Sequence, residues 1–249
     1  MRPVITLLTD FGTADGYVAE MKGVLLSRVP EATIVDVTHD VAPQDVEAAR
    51  LTLARVWRRF PARTIHVVIV DPGVGTERTA LGVDSDGHLF LGPDNGVLSP
   101  ALLVAGARAV MLEIPHGASP SFHGRDVFAP AAASLALGMP IELLGVAAPE
   151  PRIRRTPEPR HLEDGALAGE VISIDRFGNA ITNLVGLRSG LVEAAGTTLP
   201  LRRTYGDVPA GTPVALVGST GLIEVAVRDG SAAQVLHLTR GSAVLFRAT

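Results

Sequence analysis

The sequence predicts an α/β fold: an N-terminal three-layer α/β domain built on a mostly parallel sheet, followed by a C-terminal all-β domain resembling a barrel. Three observations point to it. The first half alternates short β-branched runs with stretches of helical apolar spacing. A segment rich in proline and charge interrupts the chain near residue 150, and only short strand-like runs follow it.

In chain order, VITLLT (4–9), TIVDVT (33–38) and TIHVVIV (64–70) read as buried strands. Between them, Val18, Met21, Leu25 and Val29 keep helical spacing, as do Val46, Ala49, Leu53, Val56 and Phe60. Strand–helix alternation of this kind builds a parallel sheet whose ligands sit beyond the C-terminal strand ends. Asp10, Asp40 and Asp71 fall at or just past those ends. The window VFAPAAASLALGMPIELLGVAA contains Pro130, Gly138, Pro140 and Glu142, so it reads as a packed helix and a loop, and no membrane partner is expected. The predicted domains are 1–148 and 166–249, with 149–165 as an extended linker. In the second domain GEVISID, NAITNL, TPVALVG, LIEVAV and SAVLFR are the strand candidates.

Composition narrows the function. Hydrophobic residues at 47% and charged residues at 19% describe a globular chain. A net charge of −4 supplies no basic field for a nucleic-acid backbone, so no nucleic acid partner is expected. With no cysteine there is no disulfide, thiolate catalyst or Cys-ligated metal. The start MRPVITLLTDFG shows no secretory pattern, which predicts a cytoplasmic protein. No HExxH, zinc spacing or GxSxG elbow occurs, so no metal is predicted.

Four stretches can carry chemistry. In LLTDFGTADGYVAEMKG, Asp10 and Asp15 flank glycines after the first strand, as turn and cap residues or as a carboxylate cradle for hydroxyl or ammonium groups. Its DFG is not the kinase motif, since neither a kinase glycine loop nor HRD accompanies it. In VDPGVGTER, Asp71 and Arg78 are either an incidental surface pair or a buried one, in which the guanidinium keeps the acid ionised. SFHGRDVFAP sets His123 before a helix, as a packing residue or a catalyst, with Asp126 as a helix cap and Arg125 solvated. IDRFGNAITNL joins Asp175, Asn179 and Asn183 through a hairpin turn, and an asparagine amide suits a nucleobase edge. Tyr205 in RTYGDVP offers a stacking face, and Ser219 lies beside flexible glycines in VGSTGLIEVAV.

Taken in order, TDFGTADGYV, VDVTHDV, VDPGVGT, GPDNGVL, FHGRDVFAPAAA, DRFGNAITN and GSTGLIEVAV resemble the S-adenosyl-L-methionine (SAM) hydrolases that form adenosine. These are the SAM hydroxide adenosyltransferases, relatives of the fluorinase and chlorinase. The resemblance implies displacement at the ribose C5′ of SAM by water or hydroxide, giving adenosine and L-methionine without a cofactor. It implies a homotrimer with active sites at subunit interfaces. It assigns a catalytic triad to Asp71, Arg78 and His123, the ribose diol to Asp10, adenine stacking to Tyr205 and the base edge to Asn179. Asp15, Asp175 and Ser219 would grip the methionine portion. Halogenases lack the acid and the histidine of this triad, and the fluorinase would require a serine where this chain has Gly124. An adenosyl halogenase of the chlorinase type and a non-catalytic SAM- or adenosine-binding module are the alternatives.

Overall fold

The computed structural model describes residues 2–186 and 189–249. The chain forms two compact units, Met1–Arg155 and Thr156–Thr249.

The first unit begins with β1 (Val4–Thr9), α1 (Tyr17–Arg28), β2 (Thr33–Thr38), α2 (Val46–Val56) and β3 (Ile65–Ile69). It continues with β4 (Ala80–Ser85), β5 (His88–Pro93), α3 (Ser99–Leu102), β6 (Arg108–Leu112), α4 (Ala129–Ala136) and β7 (Gly145–Ala147). The 7-stranded sheet runs in the order β2-β1-β3-β5-β4-β6-β7. The pairings among β2, β1, β3 and β5 are parallel. Those of β4 with β5 and β6, and of β6 with β7, are antiparallel. The sheet is therefore mixed, with its parallel half where strand and helix alternate.

Alternation along the strands feeds two apolar layers. Ile5, Leu7, Ile65, Val67 and Ile69 pack with Val18, Met21 and Leu25 of α1 and with Phe128, Ala129, Ala132 and Ala133 around α4. Leu8, Val68 and Val70 pack on the other face with Val46, Ala49, Leu53 and Trp57. Helices on both faces of a sheet make three layers, as the pattern predicts. Asp45 starts α2 by accepting the Ala48 N–H at 2.9 Å. The expectation that the 33–38 run is a buried strand fails: β2 is the sheet edge, and none of its residues is fully buried. Ile34 packs against one apolar layer and Val37 against the other, but each is only partly covered because no strand lies beyond β2.

The second unit contains β8 (Arg160–His161), β9 (Leu167–Ile174), β10 (Ala180–Val185), β11 (Leu191–Ala194), β12 (Thr197–Arg202), β13 (Pro213–Val217), β14 (Leu222–Val227), α5 (Ala232–Val235) and β15 (Ala243–Arg247). Strands pair in the order β10-β14-β13-β12-β11-β15-β9, and β9 pairs back to β10, closing a barrel with β8 outside it. Closure removes free edges and leaves an interior filled by Val171, Leu184, Val192, Val225, Val244 and Phe246. Residues 149–155 belong to the first unit, where the Arg152 N–H meets Asp94 at 2.7 Å and the Arg154 N–H meets Ser99 Oγ at 2.7 Å. Among the described residues no helix is long and apolar enough to cross a membrane.

Candidate functional site

Asp71 stands two residues past the end of β3 and opens a tight turn. The turn is closed by Val74 N–H to the Asp71 carbonyl and by Thr76, whose N–H and hydroxyl both reach the Gly73 carbonyl. It brings Arg78 back onto Asp71: Nε donates to Oδ1 at 2.9 Å and Nη2 donates to Oδ2, a bidentate pair. Both side chains are largely buried, at 7% exposure for Arg78 and 5% for Asp71, so this is the buried reading of the pair and not a surface one.

The turn also reaches His123. Gly75 has φ +76, and a Cβ there would lie 2.4 Å from the Pro120 carbonyl oxygen, so only glycine lets the two segments meet. Beyond Pro120, His123 is buried, and Arg78 Nη2 lies 3.1 Å from its Nδ1. A guanidinium has only donors, so Nδ1 accepts and the ring proton sits on Nε2. Burial first, then the Arg78 charge, holds His123 below its ordinary value of 6.5, which keeps it neutral at neutral pH. Arg78 Nη1 is buried with no hydrogen-bond partner among the described residues. Asp71, Arg78 and His123 therefore form one network, in which, among the described residues, Arg78 Nη1 is buried with its donor unfilled and His123 Nε2 makes no hydrogen bond. A cavity of ≈ 670 Å³ opens on Asp71, Arg78, Asn95 and Arg154. Another of ≈ 690 Å³, lined by Arg2, Ile65, Leu89 and Arg108, contains none of the predicted site residues.

A single π-helical turn, Gly124–Phe128, follows His123 and leads into α4, where Pro130 occupies the first turn and needs no donor. Asp126 is not the helix cap that the sequence suggests. It lies inside the π turn, where it accepts the Ser119 N–H and pairs with Arg125, which also reaches Glu20 and is therefore not merely solvated. At Gly124 a Cβ would press on Phe122 at 3.0 Å and Met21 Sδ at 3.1 Å, so a serine there would have to displace its neighbours.

Asp10 and Asp71 follow the same ends of adjacent strands, because Thr9 of β1 registers with Ile69 of β3. One Asp10 oxygen accepts the Gln44 N–H at 2.7 Å. This anchors a non-glycine residue at φ +67, a costly conformation of the kind that functional loops retain. Asp15 is exposed on the same loop. Sequence reasoning missed the aromatic trio Phe11, Tyr17 and Phe122, whose ring centroids lie 5.2–6.0 Å apart over this end of α1. It also missed Asn95 as an individual residue, whose Nδ2 holds the Val70 carbonyl at 2.8 Å and so fixes the strand end before Asp71.

In the second unit, Asp175 organises the β9–β10 turn. Its Oδ1 accepts the N–H groups of Phe177 and Asn179, and its Oδ2 accepts Asn179 Nδ2 at 2.9 Å. The Asn179 side-chain oxygen has no hydrogen bond from the turn, while Phe177 at the tip is 76% exposed, a flat apolar face that the sequence reading passed over. Asn183 is structural: its amide bridges the Glu170 N–H and the Pro157 carbonyl. Tyr205 sits in a 3₁₀ turn braced by Thr204 and Asp207; the residue is 40% exposed and its hydroxyl donates to Glu224 at 3.0 Å. Ser219 lies in the turn between β13 and β14.

Comparison with known proteins matches these two units separately. The model of the SAM hydroxide adenosyltransferase N-terminal domain matches residues 5–145, and that of the C-terminal domain matches residues 169–245. The chain is 46% identical to the (R)-S-adenosyl-L-methionine hydrolase of Thermus thermophilus, covering 98% of this chain and 99% of that protein. It is 29% identical to the fluorinase of Nocardia brasiliensis over 98% and 96% of the two chains. A solved structure of an uncharacterized conserved protein from Thermotoga maritima superposes with a TM-score of 0.88 at 33% identity, covering 97% of this chain and 99% of that one. The chain belongs to the SAM hydroxide adenosyltransferase family.

Proposed function

We propose that this protein hydrolyses (R)-S-adenosyl-L-methionine, with hydroxide or water attacking the ribose C5′ to give adenosine and L-methionine. The observation that carries the reading is the buried Asp71–Arg78–His123 network, in which Arg78 Nη1 has no partner among the described residues. A sulfonium is already a good leaving group, so the barrier lies in placing a desolvated nucleophile in line with the C5′–S bond. The new C5′–O bond forms as the C5′–S bond breaks, and the bonding pair returns to sulfur as the methionine thioether.

The hydrogen-bond pattern favours hydroxide as the bound nucleophile. Arg78 Nη1 and the His123 Nε2 proton both donate, which suits an anion, and the water proton leaves to solvent before attack. His123 orients the nucleophile and does not take a proton, because Nε2 already carries one and Nδ1 is filled by Arg78. Asp71 holds the guanidinium in place and balances its charge in a buried setting. The remaining oxygen of Asp10 accepts from the ribose diol, Tyr205 and Phe177 supply ring faces for adenine, and the Asn179 amide reads its edge. Asp15 and Ser219 hold the methionine end. Asp175 spends its oxygens on the turn and acts there by setting Asn179.

The reading requires no cofactor, and it carries the expected homotrimer and cytoplasmic location. Light scattering tests the former, with three times the 26.0 kDa chain mass expected, and cell fractionation tests the latter. Incubation with SAM in ¹⁸O-water tests the chemistry. Methionine release with label on the adenosine 5′ oxygen is expected; unlabelled adenosine rules out attack by solvent. Excess chloride should yield no 5′-chloro-5′-deoxyadenosine, since its appearance would favour the halogenase, and tight binding without methionine release would favour a binding module.

A further inference from the structure

Glu224 is out of place in its strand. It lies midway along β14 between Ile223 and Val225, each 0% exposed, and is itself only 7% exposed. It is paired across the barrel wall with Leu216 and Ile181. A carboxylate removed from water is costly unless its hydrogen bonds are replaced. Its Oε2 accepts the Tyr205 hydroxyl at 3.0 Å. Its Oε1 lies against the backbone of Gly218, where a Cβ would sit 1.8 Å from it. The carboxylate thus touches two surface turns at once, the 3₁₀ turn that presents the Tyr205 ring and the turn at 218–221 that bears Ser219.

We infer that Glu224 is a positioning residue, a buried carboxylate that fixes the stacking face of Tyr205 and the Gly218–Ser219 turn together. The inference rests on the functional reading given above, in which Tyr205 meets the adenine and Ser219 the methionine end. A half-exposed ring on a short turn would otherwise sample several orientations, and substrate would have to order it on binding. Burial, followed by the bond to Glu224, pushes the Tyr205 hydroxyl up to about 12, so the donor stays protonated throughout the working range. Glycine at 218 is required for the second contact, since any side chain would occupy the volume of the carboxylate.

Steady-state methionine release from SAM by Tyr205→Phe, Glu224→Gln and Glu224→Leu tests this, with adenosine binding measured by calorimetry. Tyr205→Phe keeps the ring and removes only the hydroxyl. It is expected to raise KM about tenfold, the scale of one hydrogen bond to a charged group, with the loss falling on KM rather than kcat. Glu224→Leu should be at least as impaired, the double variant should be no worse than Glu224→Leu alone, and Glu224→Gln should recover most of the loss because its amide oxygen accepts the same O–H. Glu224→Leu alone should also weaken product inhibition by L-methionine, through the Ser219 turn. An unchanged KM in Tyr205→Phe, or a Glu224→Gln as impaired as Glu224→Leu, overturns the inference. Tyr205→Ala separates the two levels: if it binds adenosine as well as the wild type does, the functional reading fails and the inference falls with it. If it loses adenosine while Tyr205→Phe does not, only the role of Glu224 is refuted.

Discussion

Strand β3 carries a buried histidine near its start and a buried carboxylate just past its end, and the two ends of this strand are built on opposite principles. At the start, His66 is fully buried. Its Nδ1 pairs with Thr6 Oγ1 at 2.8 Å, its Nε2 with His88 Nδ1 at 3.2 Å, and its ring stacks on Phe90 at 4.9 Å. At the far end, the Asp71 and Arg78 side chains are largely buried, and His123 is neutral like His66, yet Arg78 Nη1 is left without a partner among the described residues. Burial and a lowered proton affinity are common to both. What distinguishes the site from the core is hydrogen-bonding capacity left unspent beside a paired charge.

The comparison can be broken at either end. Burial, followed by the charge of His88, lowers His66 from 6.5 to about 3. A depressed histidine contributes stability that is present above pH 6.5 and lost as pH falls toward the folded value, because the unfolded chain takes the proton first. Between pH 6.5 and pH 3 roughly 5 kcal/mol should be lost through this group. Urea unfolding across that range should show the loss, and His66→Gln, which cannot titrate, should remove that part of the slope. At the other end, Asp71→Asn should lower kcat by about 10²–10⁴ while KM for SAM changes by only a few-fold. A parallel loss in KM would mean that Asp71 holds substrate instead of fixing the Arg78 donors.

His123→Ala should cost less, about 10–10² in kcat, because Arg78 still donates to the nucleophile. In the wild type, protonation of His123 Nδ1 would break its contact with Arg78. Since burial and Arg78 lower its proton affinity, the acid limb of the rate profile attributable to this residue should lie below pH 6.5. A limb above that value would assign it to another group. The smallest effect belongs to the core: Thr6→Val removes one partner of His66 and should cost about 1 kcal/mol in unfolding, with kcat and KM unchanged.

Much of the parallel half was legible in the sequence. The runs 4–9 and 33–38 are β1 and β2, and the helical spacings place α1 and α2, because period and β-branching are local signals. The hairpin of β4 and β5 turns on Asp86 and Gly87, both at positive φ, a dipeptide signal that was present but outweighed by the strand–helix rhythm before it. The β11–β12 hairpin turns on Ala195 and Gly196 at φ 49 and 74, and alanine rarely takes that conformation, so no turn signal announced it. For the site, the cost of burying Asp71 at a strand end pointed to Arg78. Its contact with His123 could not be read from the residues alone, since it depends on a backbone approach across 45 positions. Glu224 was passed over because a charge within LIEVAV reads as a residue facing water, while the closed barrel and the Tyr205 turn cover it.

Gly75 meets the Pro120 carbonyl through an absent side chain, so the alignment of the segments bearing Arg78 and His123 depends on something no larger residue can imitate. A saturation library of the 72–77 loop should therefore tolerate varied chemistry at its solvent-facing positions and accept nothing at position 75. The intolerance there would register first as a misaligned nucleophile and only secondarily as a less stable protein.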